Sequence, residues 1–297
     1  MIALDGILAP VVTPFDRSGA VDGAAFVANI RAHLTAGLHG VVVAGSTGEA
    51  ALLDEEERSR LVELARAAVP AERTLLVGTG AESTRAVIVR NRSAAERGAD
   101  GVLVVAPHYY GDAMTPEALR EHYLRIADES PVPVLLYTIP KYMHFALPAE
   151  VVAALAAHEN IVGMKDSSGD ATLLRGYLAS QGDSFKVLTG SGVLLSEALS
   201  LGAHGSILAV ALFAPALSLD ARRAARGVSG VDAGAQARLT PLAARIVGGM
   251  GVAGVKAALD AVGLHGGSPR MPLRPLPPAA LEMLRSLLRS SELVTAG

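Results

Sequence analysis

At 297 residues, 51% of them apolar, the chain can bury a large core as two small domains or as one barrel with extra helices. Its 26 Lys and Arg against 29 Asp and Glu give a formal charge of −3 without a basic block, so there is no electrostatic footprint for nucleic acid or an anionic membrane. Cysteine is absent, which excludes disulfides, thiolate metal sites and cysteine nucleophiles together, and a cytoplasmic setting fits that composition.

The opening MIALDGILAPVVTPFD lacks a basic leader region, and Pro10 and Asp16 interrupt what would have to be a signal core, so it reads as a first strand. Further along, short apolar runs read as buried parallel strands: Leu8–Val12, Val41–Ala44, Thr74–Val77, Val102–Val105, Val134–Tyr137, Ile161–Lys165, Val187–Thr189 and Ser206–Leu208. Helical patterns lie between them. The stretch from Asp54 has an acidic first turn, and Ser83–Arg97 and Thr115–Asp128 follow suit, the last with Pro116 at a helix start.

Three segments repeat one joint: Gly37-Leu-His-Gly40, Gly98-Ala-Asp-Gly101 and Gly202-Ala-His-Gly205, each a glycine that stops a helix, a short turn, then an apolar run. Eight strands alternating with helices predict an α/β fold, a (β/α)8 TIM barrel, over residues 1–210. Residues 211–297 read as a C-terminal helical extension packed with the barrel as a single structural unit. Its helices fall near Pro215–Arg226, Ala233–Val247, Val252–Val262 and Pro278–Arg289, and the proline-rich Pro269–Pro278 is a connector. The most hydrophobic late stretch, Ser206–Leu219, is broken by Pro215 and is too short to span a bilayer.

Barrel enzymes place reacting groups where strands end. Of four lysines, at 141, 165, 186 and 256, only Lys165 closes a buried apolar run, IVGMK. A desolvated ammonium loses its charged form more readily, which would free the amine to attack a ketone. The plainer alternative is an interior ion pair, with Asp166 as the candidate partner. Tyr137 ends the strand before, and neighbouring strands lie about 4.8 Å apart, so its phenol can share the same mouth and shuttle protons, or merely pack there. Gly45-Ser-Thr-Gly-Glu49 supplies successive amides and hydroxyls that suit a carboxylate or a phosphate, and it lacks the lysine of a Walker loop. Pro107-His-Tyr-Tyr110 is as consistent with interface packing as with catalysis. Eight histidines show no i, i+4 metal pair, so no metal site is expected.

Taken together and in order, APVVTPFD, GSTGE at 45–49, PHYY at 107–110, LLYTIP at 135–140, NIVGMKDSSGD at 160–170, VLTGS at 187–191 and GAHGSI at 202–207 resemble the dihydrodipicolinate synthase and N-acetylneuraminate lyase family of pyruvate-dependent aldolases. The resemblance implies a homotetrameric barrel whose Lys165 forms a Schiff base with pyruvate. Tyr137 would relay protons with Ser46 and with Tyr109, or alternatively Tyr110, of a neighbouring subunit. Thr47 and Ser46 would hold the pyruvyl carboxylate, Gly190 and Ile207 would line the pocket, and Ser167 could reach the substrate. No cofactor is then required, and the partners are a 2-oxo acid and an aldehyde.

Within that family the synthases carry an arginine where this chain has Tyr142, and Lys141 beside it is no bidentate replacement. Sialic acid lyases carry an Asp-Glu pair where this chain has Ser191 and Gly192. The wording around Lys165 and Gly190 is closest to 4-hydroxy-2-oxoglutarate aldolases, although YTIPKYMHFALP departs from that branch too. The expected function is therefore a Schiff-base pyruvate aldolase. The alternatives are a dihydrodipicolinate synthase, a 2-keto-3-deoxy sugar acid aldolase or dehydratase, a metal-dependent aldolase, and a non-catalytic 2-oxo-acid sensor.

Overall fold

The computed structural model describes residues 2–295. Eight parallel strands close into a barrel in sequence order: β1 Gly6–Pro10, β2 Gly40–Val43, β3 Thr74–Gly78, β4 Gly101–Val105, β5 Val134–Thr138, β6 Ile161–Asp166, β7 Lys186–Thr189 and β8 Gly205–Ile207. The ring shuts where Leu8 of β1 pairs with Ile207 of β8. Strand β1 begins and ends two residues earlier than its apolar run predicts. Val11 and Val12 are buried but lie past the ladder, while Gly6, which no propensity argument favours, is inside it.

Helices α1 Gly23–Thr35, α2 Glu55–Ala68, α3 Thr84–Glu96, α4 Pro116–Glu129, α5 Pro140–Met143, α6 Ala149–Leu155, α7 Ala171–Leu178 and α8 Leu195–Ser200 connect the strands. Their starts are chemically marked. Asp54 and Glu57 form a reciprocal capping box on α2, Ser83 caps α3, and Thr115 caps α4 ahead of Pro116. The three repeated joints work as read: Gly37, Gly98 and Gly202 have φ of 96, 84 and 108°, a left-handed turn that a side chain would strain.

After β8 come α9 Pro215–Ala225, α10 Ala235–Pro241, α11 Gly251–Ala261 and α12 Pro278–Ser290. The gap expected between Val247 and Val252 is instead a wide π-type turn, Leu242–Met250, and the path breaks only at Gly251, where φ is 62°. Residues Ala235–Ala261 form a stretch long and apolar enough by composition to cross a membrane. In this fold its Leu239, Leu242, Ile246, Val255 and Leu259 are buried in a core shared with β1, β2, α1 and α2.

Side-chain alternation divides the strands between two cores. Leu8, Val42, Leu76, Leu103, Leu135, Tyr137, Leu188 and Ile207 fill the barrel interior. Leu136 and Met164 point outward into the layer beneath the helices, with Leu119, Tyr123 and Tyr177.

Candidate active site

At the C-terminal end of the barrel, a cavity of about 280 Å³ is lined by the ends of β1, β2, β5, β6, β7 and β8 and roofed by the C-terminal helices. Seven of the eight residues singled out from the sequence line it: Ser46, Thr47, Tyr137, Lys165, Ser167, Gly190 and Ile207. Tyr137 and Lys165 are register partners across the β5–β6 ladder, and the Lys165 Nζ stands 4.3 Å from the Tyr137 ring centroid. Both are buried, Tyr137 4% and Lys165 7% exposed, and both face inward.

Asp166 does not pair with that amine. The next residue on a strand points to the opposite face, and the Asp166 carboxylate accepts from the Ser168 amide at 2.9 Å and the Ser168 hydroxyl at 3.0 Å. Burial pushes the Asp166 carboxyl above its ordinary range, and those two bonds only partly oppose it. Among the described residues, no carboxylate reaches within ion-pair distance of Lys165 Nζ.

Gly190 leaves room for the amine. Its amide donates to the Asp166 carbonyl at 2.6 Å, drawing the β7 rim against β6. A Cβ there would fall 2.0 Å from Ser167 Oγ and 2.8 Å from Lys165 Cε. Opposite, Ser46–Gly48 forms a single 3-10 turn whose leading amides have no acceptor within it. The Thr13 hydroxyl fixes that turn by donating to the Gly48 carbonyl at 2.8 Å. The residues on either side, Ala44 and Glu49, adopt φ of 52 and 58°, a strained conformation for a residue with a side chain.

Sequence reasoning missed what holds Glu49 there. Its carboxylate is buried against Lys256 of α11, 2.5 Å from Nζ, and accepts from the Arg270 amide at 2.7 Å. Lys256 also donates to the Ser268 carbonyl at 3.0 Å and sits 4.5 Å over the Phe15 ring. Arg270 covers the same ring at 4.1 Å and clamps Glu57 with two bonds of 2.6 Å. The proline-rich stretch read as a connector thus fastens the Ser46–Gly48 turn to the C-terminal helices. A lone lysine in the apolar run of α11 and a lone glutamate ending GSTGE were the available signals.

Tyr109 lies elsewhere. It is 77% exposed and stacks edge-on with Tyr110 at 5.0 Å, in a second concavity shared with Met143, His144 and Phe145. Tyr142, not Tyr109, is the second phenol of this chain in the main cavity.

The dihydrodipicolinate synthetase family model matches residues 3–291. The chain belongs to that family. It is 33% identical over 290 residues to a 4-hydroxy-tetrahydrodipicolinate synthase of Methanoculleus marisnigri, covering 96% of this chain and 98% of the relative. It is 38% identical over 276 residues to an uncharacterized DapA-like lyase of Halobacterium salinarum, covering 93% and 90%. Among solved structures, the chloride-inhibited dihydrodipicolinate synthase of Acinetobacter baumannii, complexed with pyruvate, superposes with a TM-score of 0.92 at 29% identity, covering 98% of this chain and all of that one. As a member of the family, the chain is a carbon–carbon lyase of the pyruvate Schiff-base type.

Proposed function

We propose that Lys165 is the imine-forming residue and Tyr137 its proton shuttle in an aldolase that makes or cleaves a 4-hydroxy-2-oxo acid. The pairing of these two side chains across one ladder, at 4.3 Å, carries the reading. The neutral amine attacks the C2 carbonyl, water leaves, and the resulting cationic imine accepts electrons. In cleavage, Tyr137 takes the C4 hydroxyl proton, the C3–C4 pair flows into the imine, and an aldehyde departs. The enamine is protonated at C3 and hydrolysed, which returns pyruvate and the amine. Ser46 and Thr47 hold the carboxylate by amides and hydroxyls, Ser167 reaches the bound substrate, and Gly190 and Ile207 shape its pocket. No step calls on a cofactor.

Borohydride added to enzyme and pyruvate should leave a reduced adduct on Lys165, located by peptide mass. An unmodified Lys165 alongside normal turnover would remove it from this role.

A second reading is condensation of the synthase type, favoured by the similarity to 4-hydroxy-tetrahydrodipicolinate synthases. The wording closest to 4-hydroxy-2-oxoglutarate aldolases and the Tyr142 position favour the first. A pyruvate-release screen over hydroxy-oxo acids separates the two. Exposure of Tyr109 and Tyr110 beside a groove supports a homotetramer in which one of them enters a neighbour's site. Sedimentation as a monomer, or full activity in both Tyr109→Phe and Tyr110→Phe, would oppose it. The enzyme works in the cytoplasm in this reading, with residues 1–210 and 211–297 as one structural unit.

A further inference from the structure

The outer half of the cavity has a chemistry that imine formation does not need. Its wall includes Val193 and Val210 after β7 and β8, with Ala243, Val247 and Val252 from the C-terminal helices, beside the neutral Ser191 and the Ser168 hydroxyl, which already donates to Asp166. Among the described residues, no arginine, aspartate or glutamate lines it. Two lysine side chains do. Lys165 is committed to the keto acid. Lys141 donates to the Gly248 carbonyl at 2.7 Å and ties the short helix α5 to the wide turn over the cavity. Beside it Tyr142 is only partly exposed, and burial, reinforced by the neighbouring Tyr137 phenol, raises its pKa. Tyr142 therefore stays a neutral donor through the physiological range.

A carboxylate brought against this wall would give up water for valine and alanine methyls and find no forked partner. An alkyl or aryl tail would lose only unfavourable hydration. We propose that the wall selects an uncharged aldehyde with an apolar tail as second substrate, and that Tyr142 is the residue setting this preference. The inference rests on the imine reading above. The enamine C3 bonds to the aldehyde carbon, the carbonyl oxygen takes the Tyr137 proton, and hydrolysis with one water releases a 4-hydroxy-2-oxo acid bearing a single carboxylate.

The test pairs pyruvate with butanal and with succinic semialdehyde, which match in chain length and differ by the terminal carboxylate. The wild-type enzyme should use butanal with kcat/KM at least tenfold higher, mainly through KM. Tyr142→Arg should reverse the order by improving the semialdehyde tenfold or more, while borohydride trapping of pyruvate on Lys165 is unchanged. Equal rates, preference of the wild type for the semialdehyde, or turnover of neither would overturn the proposal. Failure of trapping in the wild type would instead overturn the imine reading, so the two failures are told apart.

Discussion

Two lysines of this chain are buried over aromatic rings at almost the same distance, Lys165 4.3 Å from Tyr137 and Lys256 4.5 Å from Phe15. Only Lys256 has an anion, the Glu49 carboxylate 2.5 Å away. Burial draws Lys256 below the ordinary lysine range while Glu49 opposes it. With its charge matched and a second bond to the Ser268 carbonyl, Lys256 is a strut. Lys165 faces a cavity with no matching charge and is available to react. The same side chain serves opposite ends according to whether a carboxylate is built beside it.

The largest effect should come from Lys165→Met. Turnover falls roughly 10⁴-fold or more, while thermal unfolding is little changed because no ion pair is broken. A stability loss as large as that of Lys256→Met would erase the contrast.

Lys256→Met should leave kinetics measurable but cost about 3–5 kcal/mol in urea unfolding, since Glu49 is left as an unmatched buried charge. The Glu49→Gln/Lys256→Met double variant should recover much of that loss. No recovery would mean that packing, not charge, holds the turn.

Tyr137→Phe keeps the ring beneath the amine and removes the proton carrier. It should lower kcat roughly 10²-fold while pyruvate is still trapped. Gly190→Ala should reduce kcat/KM roughly tenfold by pushing Lys165 Cε and Ser167 Oγ aside. A rate equal to the parent would show that the rim yields without moving the amine.

The smallest effect concerns a buried base without a partner. His33 is 1% exposed, and burial lowers its pKa to about 4. The unfolded imidazole, near 6.5, binds a proton that the folded one refuses, so stability falls as pH drops through that window, and the contribution of His33 is fully lost below about 4. Between pH 7 and 5.5 this amounts to about 1 kcal/mol. His33→Leu should flatten that part of the melting profile, and an unchanged slope would assign it to other groups.

The barrel was legible because strands covered on both faces read as unbroken apolar runs, and Lys165, Tyr137 and the Ser46–Thr47 turn followed because barrel chemistry gathers where those runs end, whereas Ser167, Gly190 and Ile207 came only from the family resemblance. Lys165 stood out as a scarce lysine closing such a run. Lys256 did not, since hydrophobic periodicity says that a helix has a buried face without saying which distant loop that face meets. Arg270 was hidden for the same reason inside a stretch whose prolines announce only a linker. The winding of Leu242–Met250 was hidden too, because Gly248, Gly249 and Gly251 read as an interruption whereas the neighbouring helices sustain a wide turn there.

Tyr137 and Lys165 owe their separation to backbone ladder bonds in a ring without an edge, whereas Tyr142 and Val247 stand on segments outside that ring. Under the proposed roles, changes to those outer segments would alter which aldehyde is admitted without disturbing the spacing on which bond making depends. Reactivity and selectivity would then be open to independent revision, which makes the short α5 strap the natural place to re-aim the proposed aldolase.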